Sequence, residues 1–357
     1  MQISELGEFA LIDRLTKDVQ LHHASTVKGI GDDCAIVDTT QSAGRALLTT
    51  DLLLEGIHFD LVYTPMQHLG YKAAMVNISD VYPMGGSPRQ MLVSVAVDRR
   101  ITVEALDDFY AGLRLACDRH HVDIVGGDTS STLTGMVISI TVMGDAPADK
   151  VVCRSGAKDT DLICVSGNLG AAYLGLQLLE REKAIYFDQL RQQPQGTQLP
   201  FEPDFAGKEY LLERILKPEA RRDVIENLQK AGIHPTSMID ISDGLSSELL
   251  HICKASGCGC RIFEERIPID YQTASTAEEF NMNVYTCALN GGEDYELLFT
   301  VPLADHQRIA EIDDVKVIGH ITRQELGTLL VTRDGNEFEL EAQGWQHNSQ
   351  QLQSEVE

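Results

Sequence analysis

The sequence predicts an α/β (α+β) fold with two αβ domains, at residues 1–150 and 151–357. Strand-like runs rich in β-branched and apolar residues alternate with segments of helical spacing, and this alternation restarts after about residue 150. The chain has 357 residues, of which 43% are hydrophobic, and that length is typical of about two compact domains. We therefore expect a separate core in each half.

Three strands and two helices are predicted in the first half. The strands are Ala46–Thr50, Met91–Val97 and Met136–Met143, and the helices are residues 68–84 and 103–121. A turn containing proline and aspartate, at Asp145–Lys150, is expected to close this domain.

The second half begins with a predicted strand, Asp161–Ser166, and a helix, Ala171–Leu179. Later strands are predicted at Met238–Ile241, Tyr295–Val301 and Val315–Ile321. Residues 183–210 are polar, and their Gln/Pro-rich part indicates a surface loop or insertion. The polar tail after Asn348 is expected to be disordered.

Charge and hydropathy exclude several classes of partner. The formal charge is −25, which argues against nucleic acid and anionic membranes because both require a basic surface. The first residues contain acids and no long apolar run, so no signal segment is predicted. No stretch reaches the roughly 18 apolar residues of a membrane span. We expect a cytoplasmic protein.

The eight cysteines form no regular framework, and the chain is long enough to fold without disulfides. We interpret them as reduced thiols. The cluster of His251, Cys253, Cys258 and Cys260 raises a zinc alternative, but its spacing fits no standard Cys/His site.

Acidic residues recur beside glycines and at predicted strand ends, in contexts whose hard oxygen ligands suit Mg²⁺. The segments that share this design are Gly31-Asp32-Asp33, Thr49-Thr50-Asp51, Gly126-Gly127-Asp128, Asp240-Ile241-Ser242-Asp243 and Gly291-Gly292-Glu293. The structural alternatives are a tight turn for the Gly31 and Gly126 segments, a hairpin for the Gly291 segment and a helix N-cap at Ser242 or Asp243. The cap alternative leaves Asp240 unexplained, because that residue shares a strand face with Ser242.

Asp80 is the acid least compatible with a structural role. Leu69, Ala73, Val76 and Asp80 fall at helical spacing, which places this carboxylate on an apolar face. An isolated buried charge costs several kcal/mol, so Asp80 has to be paired or bound to a cation. Converging acids repel by about 4 kcal/mol per pair at 4 Å and an effective dielectric of about 20. Several Mg²⁺ ions with a polyphosphate substrate would satisfy such a cluster.

The chain contains neither a P-loop nor the protein-kinase signature set. Nucleotide phosphates would then be held through metal ions and isolated basic groups, and Arg154 is a candidate phosphate clamp. His58 follows Asp51 by seven residues, and a lone histidine is more often structural than functional.

Together and in this order, the segments resemble the thiamine-monophosphate kinase family of the aminoimidazole-ribonucleotide-synthetase-like ATP-binding superfamily. The resemblance spans Gly7-Glu8-Phe9 to Gly344-Trp345. It implies an N-terminal domain that binds ATP and several Mg²⁺ ions and forms a homodimer through its mixed sheet, with a C-terminal αβ domain completing the active site. The metal ligands it implies are Asp33, Thr49, Thr50, Asp51, Asp80, Asp128, Asp240 and Asp243. The implied ATP contacts are Tyr110, Gly127, Asp128, Arg154 and Ser242, and the implied contacts to thiamine monophosphate are His58, Glu293 and Trp345.

The resemblance implies phosphorylation of thiamine monophosphate to thiamine diphosphate, the final step of thiamine diphosphate biosynthesis. We expect direct in-line transfer of the ATP γ-phosphoryl group, which needs no side-chain base because the acceptor phosphate is already anionic. One alternative is another ATP-using enzyme of the superfamily, which activates an amide or selenide oxygen acceptor. The other is a non-catalytic acidic protein that buffers divalent cations, which leaves His58 and Arg154 unexplained.

Overall fold

The computed structural model describes residues 14–28, 36–38, 44–194 and 200–342. They form two compact units. The first contains the described residues up to Cys153 together with Gly175–His234, and the second contains Arg154–Leu174 and the described residues from Pro235 onward. The predicted mixture of helices and strands is confirmed, and each unit has a sheet of its own.

A four-stranded sheet forms the centre of the first unit. Its strands are β3 (Arg45–Leu54), β4 (Ser87–Val97), β5 (Asp123–Ser131) and β6 (Val137–Ala146), and a separate pair consists of β1 (Thr26–Lys28) and β2 (Ile36–Val37). The order is β3-β6-β4-β5, with β6 antiparallel to both neighbours and β5 parallel to β4. The sheet is therefore mixed, as predicted.

Two helices of the first unit, α1 (Met66–Ser79) and α2 (Val103–His120), pack closely against each other. A Cβ atom on Gly70 would lie 1.9 Å from the carbonyl oxygen of Phe109, and one on Gly112 would lie 1.8 Å from that of Gln67. Only glycine allows so close an approach of two backbones. Helix α1 also contacts strands β3 and β6, so its end is fixed relative to the sheet.

Helix α1 is shorter than the predicted 68–84, because it ends at Ser79. The following chain turns, with the N–H of Gly85 donating to the carbonyl of Tyr82. The physical reason is Pro83, which disfavours helical backbone at the residue before it, and Gly85, which adopts a left-handed φ of 71°. Asp80 consequently lies just after the helix.

Three helices lie wholly or partly in residues 175–234, namely α3 (Ala171–Arg191), α4 (Glu209–Leu216) and α5 (Arg222–Lys230). The segment groups with the first unit rather than with the rest of the predicted domain 151–357. Polar contacts account for this: the hydroxyl of Tyr71 donates to Glu219 at 2.7 Å, and Arg119 pairs with the same carboxylate at 2.7 Å. The predicted surface loop 183–210 is corrected in part, because its first nine residues belong to α3.

The second unit contains a seven-stranded sheet. Its strands are β7 (Leu162–Ser166), β8 (Ser237–Asp240), β9 (Cys258–Phe263), β10 (Leu297–Val301), β11 (Val315–Arg323), β12 (Thr328–Val331) and β13 (Glu337–Glu339). They follow the order β13-β12-β9-β11-β7-β10-β8, and only β9 and β12 are parallel neighbours. The predicted strand start at Tyr295 is corrected to Leu297, because Tyr295 has a left-handed φ of 50°.

The helices that accompany this sheet are α6 (Leu245–Ser256), α7 (Tyr271–Glu279), α8 (Val284–Asn290) and α9 (His306–Ala310), with 3₁₀ turns at Glu264–Arg266, Leu303–Asp305 and Gln324–Leu326. Helix α6 places Leu245, Leu249 and Ile252 in the core beside Ile239 and Leu298. In the part of the chain that the structure describes, no helix is long and apolar enough to span a membrane.

Candidate functional site

Thr49, Thr50 and Asp51 lie in the middle of β3 and not at a strand end as predicted, since β3 continues to Leu54. Side chains alternate between the two faces of a strand, so Thr49 and Asp51 share one face and Thr50 occupies the other. The hydroxyl of Thr50 donates to the carbonyl of Ile140 at 2.9 Å. The structure therefore separates the Thr50 side chain from its two predicted co-ligands.

Helix α1 brings Asp80 to the Thr49 and Asp51 face of β3. The Thr49 hydroxyl donates to the Asp80 carboxylate at 2.5 Å. Asn77, fully buried one turn before Asp80, accepts the backbone N–H of Asp51 at 3.0 Å and donates to the carbonyl of Ala73. These bonds connect the end of α1 to β3 and bring together three of the predicted ligands. We call Thr49, Asp51 and Asp80 the acid pair site.

The two carboxylates of the acid pair site interact electrostatically. Burial, and then the charge of Asp80, raise the pKa of Asp51 to about 6. A carboxyl group with so high a pKa is disfavoured in its ionised form, and a bound cation would remove that penalty. In residues 14–28, 36–38, 44–194 and 200–342, no set of three or more His, Cys, Asp or Glu side chains is arranged to hold a metal ion.

Gly127 and Asp128 lie on β5, at the opposite edge of the sheet from β3. The register connects Asp51 to Gly127 through Ile140 and Val93, which amounts to about 14 Å across three strand spacings. Within one sheet, Asp128 is thus not brought to the acid pair site. Gly127 also has a packing role, because a Cβ there would lie 1.8 Å from the carbonyl oxygen of Val93.

Tyr110 and His58 differ in how deeply they are buried. Tyr110 is 5% exposed on α2, where its ring contacts that of Phe109, and burial raises its pKa to about 12. His58 is half-buried and its Nδ1 accepts the backbone N–H of Leu54 at 3.0 Å. A ring whose Nδ1 is an acceptor carries its proton on Nε2, so the Nε2–H of His58 is a hydrogen-bond donor.

In the second unit, the chain after β8 forms a turn that contains Ser242 and Asp243. The helix N-cap is Gly244, with φ 108° and no side-chain cap, which corrects the alternative that Ser242 or Asp243 caps the helix. Asp240, the last residue of β8, is 5% exposed. We call Ser242-Asp243-Gly244 the nucleotide turn, because Ser242 is a predicted ATP contact.

The Gly-Gly-Glu segment lies directly beside the nucleotide turn. The N–H of Glu293 donates to the carbonyl of Ser242 at 2.7 Å, and the N–H of Tyr295 donates to that of Ile241 at 2.8 Å. A Cβ on Gly292 would lie 2.6 Å from the Ser242 carbonyl oxygen, so the approach requires glycine. The segment joins α8 to β10 and is not the hairpin turn considered above. The predicted residues Asp240, Ser242, Asp243 and Glu293 are thus gathered in one place.

Arg154 lies in an exposed loop that is anchored to helix α6. The hydroxyl of Ser256 accepts the backbone N–H groups of Gly156 at 3.1 Å and Ala157 at 3.2 Å, and it lies 3.4 Å from the carbonyl oxygen of Arg154. Gly156 has a φ of 126°, which only glycine adopts readily. The loop is therefore shaped by its backbone, while the guanidinium of Arg154 stays exposed.

Glu248 is the main residue that sequence reasoning missed in the second unit. It is 3% exposed, and burial together with the charges of Asp240 and Asp243 raises its pKa to about 7. Its spacing contained the signal, since Leu245, Glu248, Leu249 and Ile252 fall on one helix face, as the residues around Asp80 do. Sequence reasoning also missed Asn77 in the first unit. A buried amide is neutral, so unlike a buried carboxylate it does not require a counter-charge or a cation.

Two predicted site residues, Asp33 and Trp345, lie outside the described residues, as does Asp32. The seven described cysteines are free thiols, including Cys253, Cys258 and Cys260 of the zinc alternative.

The chain contains both domains of a known class of protein, the AIR synthase related proteins. The N-terminal domain of AIR synthase related proteins matches residues 31–146, and the C-terminal domain of the same proteins matches residues 194–331. Structures of the hydrogenase maturation protein HypE share the fold, one of them at 19% identity with a TM-score of 0.68 over 93% of this chain and 94% of that chain.

More similar proteins identify the family. Thiamine-monophosphate kinase of Aquifex aeolicus is 35% identical over 97% of this chain and 100% of its own length, and that of Bacillus subtilis is 32% identical over 96% and 99%. A structure of AaThiL complexed with AMPPCP and TMP is 34% identical, with a TM-score of 0.71 over 98% of this chain and 99% of that chain. The chain belongs to the thiamine-monophosphate kinase family, which confirms the resemblance found in the sequence.

Proposed function

We propose that this protein transfers the γ-phosphoryl group of ATP to thiamine monophosphate, giving thiamine diphosphate in the final step of thiamine diphosphate biosynthesis. The observation that carries the proposal is the nearly full-length similarity to a relative whose structure holds AMPPCP, an ATP analogue, and TMP. The chain also retains its own acid pair site and its nucleotide turn, which are the groups that such a reaction needs.

Magnesium is part of this proposal, and the donor set fits it. Mg²⁺ is held by one or two carboxylates together with water and substrate phosphates. The acid pair site offers two carboxylates and a hydroxyl, and burial, followed by the charge of Asp80, raises the pKa of Asp51, a penalty that a bound cation would reduce. The bound ion would neutralise charge on the transferring phosphoryl group. Asp240 and Asp243 would supply ligands in the second unit, while Asp33, Thr50 and Asp128 stay predictions from the resemblance.

The side chains have separate tasks in the proposed reaction. His58 presents its Nε2–H, which suits an acceptor atom of thiamine monophosphate, and Glu293 and Trp345 remain its predicted companions. Arg154 is an exposed cation whose charge acts to lower the pKa of Glu248, the residue that contacts the nucleotide turn. An exposed guanidinium suits a polyphosphate. Because the acceptor phosphate is already anionic, no side-chain base is needed to deprotonate it. Catalysis then consists of orienting two polyanions in line.

A homodimer through the first unit's sheet is also proposed, with a second copy of this chain as the partner. The outer face of β3 is apolar and exposed: Leu48 is 72% exposed and Leu52 is 52% exposed, and Leu92 of β4 is 43% exposed. Large apolar patches of this kind mark interaction surfaces. Leu48→Glu should convert the dimer into monomers by sedimentation velocity, whereas Leu133→Glu, a change at a loop residue that is 99% exposed, should not.

The proposed activity is tested by incubating the purified chain with ATP, Mg²⁺ and thiamine monophosphate, and by following thiamine diphosphate chromatographically. Free thiamine is the control acceptor. Diphosphate formed from the monophosphate alone is the expected result. Nucleotide binding without product would favour another enzyme of the superfamily, and absence of nucleotide binding would favour the cation-buffering alternative.

A further inference from the structure

Glu248 is a buried carboxylate to which the proposed chemistry gives no role. It is 3% exposed on α6, between the core residues Leu245 and Leu249. A carboxylate in such surroundings is costly unless it is engaged by hydrogen-bond donors. Its position is therefore explained only by what its oxygens contact.

One oxygen of Glu248 is directed at the nucleotide turn. Oε1 accepts the backbone N–H of Asp243 at 3.2 Å, and the Ser242 hydroxyl lies 3.4 Å from the same atom. This differs from the usual capping box, in which an acid at the third helical position accepts the N–H of the N-cap residue. Here the acid is at the fourth position and reaches the residue before Gly244. The bond thus shapes the turn and not only the helix end.

The nucleotide turn is held by several attachments. Besides the contact with Glu248, the carbonyl of Ser242 accepts the N–H of Glu293 at 2.7 Å. Gly244 has a φ of 108°, and a Cβ there would lie 2.7 Å from the carbonyl oxygen of Leu289. Without Glu248 the Asp243 N–H would lose its partner, and the turn would lose one of these attachments. The adjacent charges of Asp240 and Asp243 repel an ionised Glu248. The hydrogen bond that Glu248 accepts from the turn therefore has to outweigh this repulsion.

From this geometry we infer that Glu248 is a positioning residue that holds the nucleotide turn in its ATP-binding shape. The inference rests on the proposed function in assigning Ser242 and Asp243 to the nucleotide. Glu248 acts through the turn and does not itself need to touch ATP. A carboxylate that merely stabilised α6 would affect unfolding and both substrates equally.

Two substitutions separate the acceptor from the bulk of the side chain. Glu248→Gln keeps an oxygen that can accept the Asp243 N–H, whereas Glu248→Met keeps the length of the side chain and removes the acceptor. Glu278→Met, an exposed glutamate of α7 in the same unit, is the matched control. All three are compared with the unaltered full chain in the presence of Mg²⁺.

Binding of a non-hydrolysable ATP analogue is measured by calorimetry, and KM values for both substrates are measured by turnover. Glu248→Met should weaken analogue binding and raise the KM for ATP by about ten-fold, since it removes the acceptor of the partly buried Asp243 N–H. The KM for thiamine monophosphate should change by less than about two-fold, and Glu248→Gln should restore most of the affinity. Unaltered analogue binding in Glu248→Met would overturn the inference. Equal losses in the Gln and Met variants would also overturn it, because the charge would then be what acts.

A measurement on the unaltered protein does not depend on whether the Met variant folds. If Glu248 pre-forms the turn, the Asp243 amide should exchange its hydrogen slowly both with and without the nucleotide analogue. Fast exchange that slows only when the analogue binds would overturn the inference. If the protein binds the analogue and makes no thiamine diphosphate, the proposed function fails while the binding comparison on Glu248 remains decisive.

Discussion

The acid pair site and the nucleotide turn both position hydroxyl and acidic side chains close together, but different structural elements hold them. In the first unit, Thr49, Asp51 and Asp80 project from a regular strand and the end of a helix, and Asn77 fixes one to the other. In the second unit, Ser242 and Asp243 lie on irregular backbone that depends on glycines and on Glu248 for its shape. We expect changes in the first region to act mainly on chemistry and changes in the second to act mainly on nucleotide affinity.

The largest effect is expected at Asp80. Asp80→Asn keeps the contact with the Thr49 hydroxyl but removes one of two carboxylates, so turnover should fall by at least about 10²-fold. Asp240→Asn should behave similarly if the second unit also binds metal. The measurement is the rate of thiamine diphosphate formation at saturating substrates, with the exposed surface variant Asp188→Asn as the control. Turnover near that of the unaltered enzyme in either variant would contradict the metal-binding role of these acids.

Asp51 should show a trade-off between stability and activity. Its pKa is raised from 3.8 to about 6, so between these values the folded protein holds more protons than the unfolded chain. Stability contributed by this group therefore falls as pH rises through that window. Without divalent cations, Asp51→Asn should raise the free energy of unfolding by about 1–2 kcal/mol at about pH 7 and by little at about pH 4. With Mg²⁺ present, the turnover of the same variant should collapse.

Urea unfolding in the presence of a chelator, at both pH values, checks this expectation. Asp188→Asn, at an exposed position, should show neither the gain in stability nor its pH dependence. A loss of stability in Asp51→Asn at about pH 7 would mean that this carboxylate is satisfied without a cation.

The sequence predicts the first region better than the second for a physical reason. Helical spacing on an apolar face identifies Asp80 from neighbouring residues alone, and the same rule would have identified Glu248. The orientation of the Thr50 side chain, opposite to Thr49 and Asp51, could not be assigned until the extent of β3 was known, because residues after a strand end need not alternate between faces. The two edges of the sheet, which separate Asp51 from Asp128, depend on pairing between distant segments.

The grouping of Gly175–His234 with the first unit was beyond the reach of local pattern. It depends on contacts such as that of the Tyr71 hydroxyl with Glu219, whose partners are 148 residues apart. Nothing in the polarity of either segment indicates its partner. By contrast, most strand positions follow from alternation of apolar runs, which is local information.

A smaller effect should distinguish the two faces of β3. Thr49→Val removes the hydroxyl that donates to Asp80, and should lower turnover by about ten-fold through loss of a charge-assisted hydrogen bond. Thr50→Val is its matched partner, because that hydroxyl bonds to the Ile140 carbonyl on the opposite face. Its turnover should stay within about two-fold of the unaltered enzyme. Equal losses in both variants would support the predicted ligand role for the Thr50 side chain and would contradict the separation by face.

The smallest effect is expected at Ser256, which holds the Arg154 loop through two backbone N–H groups. Ser256→Ala leaves both donors to water, and because the loop is exposed the cost should be modest. We expect the KM for ATP to rise by about three-fold with the turnover number unchanged, since Arg154 would be less well placed but still present. Ser256→Thr, which keeps the hydroxyl, should restore the affinity. A fall in the turnover number of Ser256→Ala, with its KM for ATP unchanged, would show that a residue of the second unit acts on the chemical step. That result would contradict the expectation that changes there act mainly on nucleotide affinity.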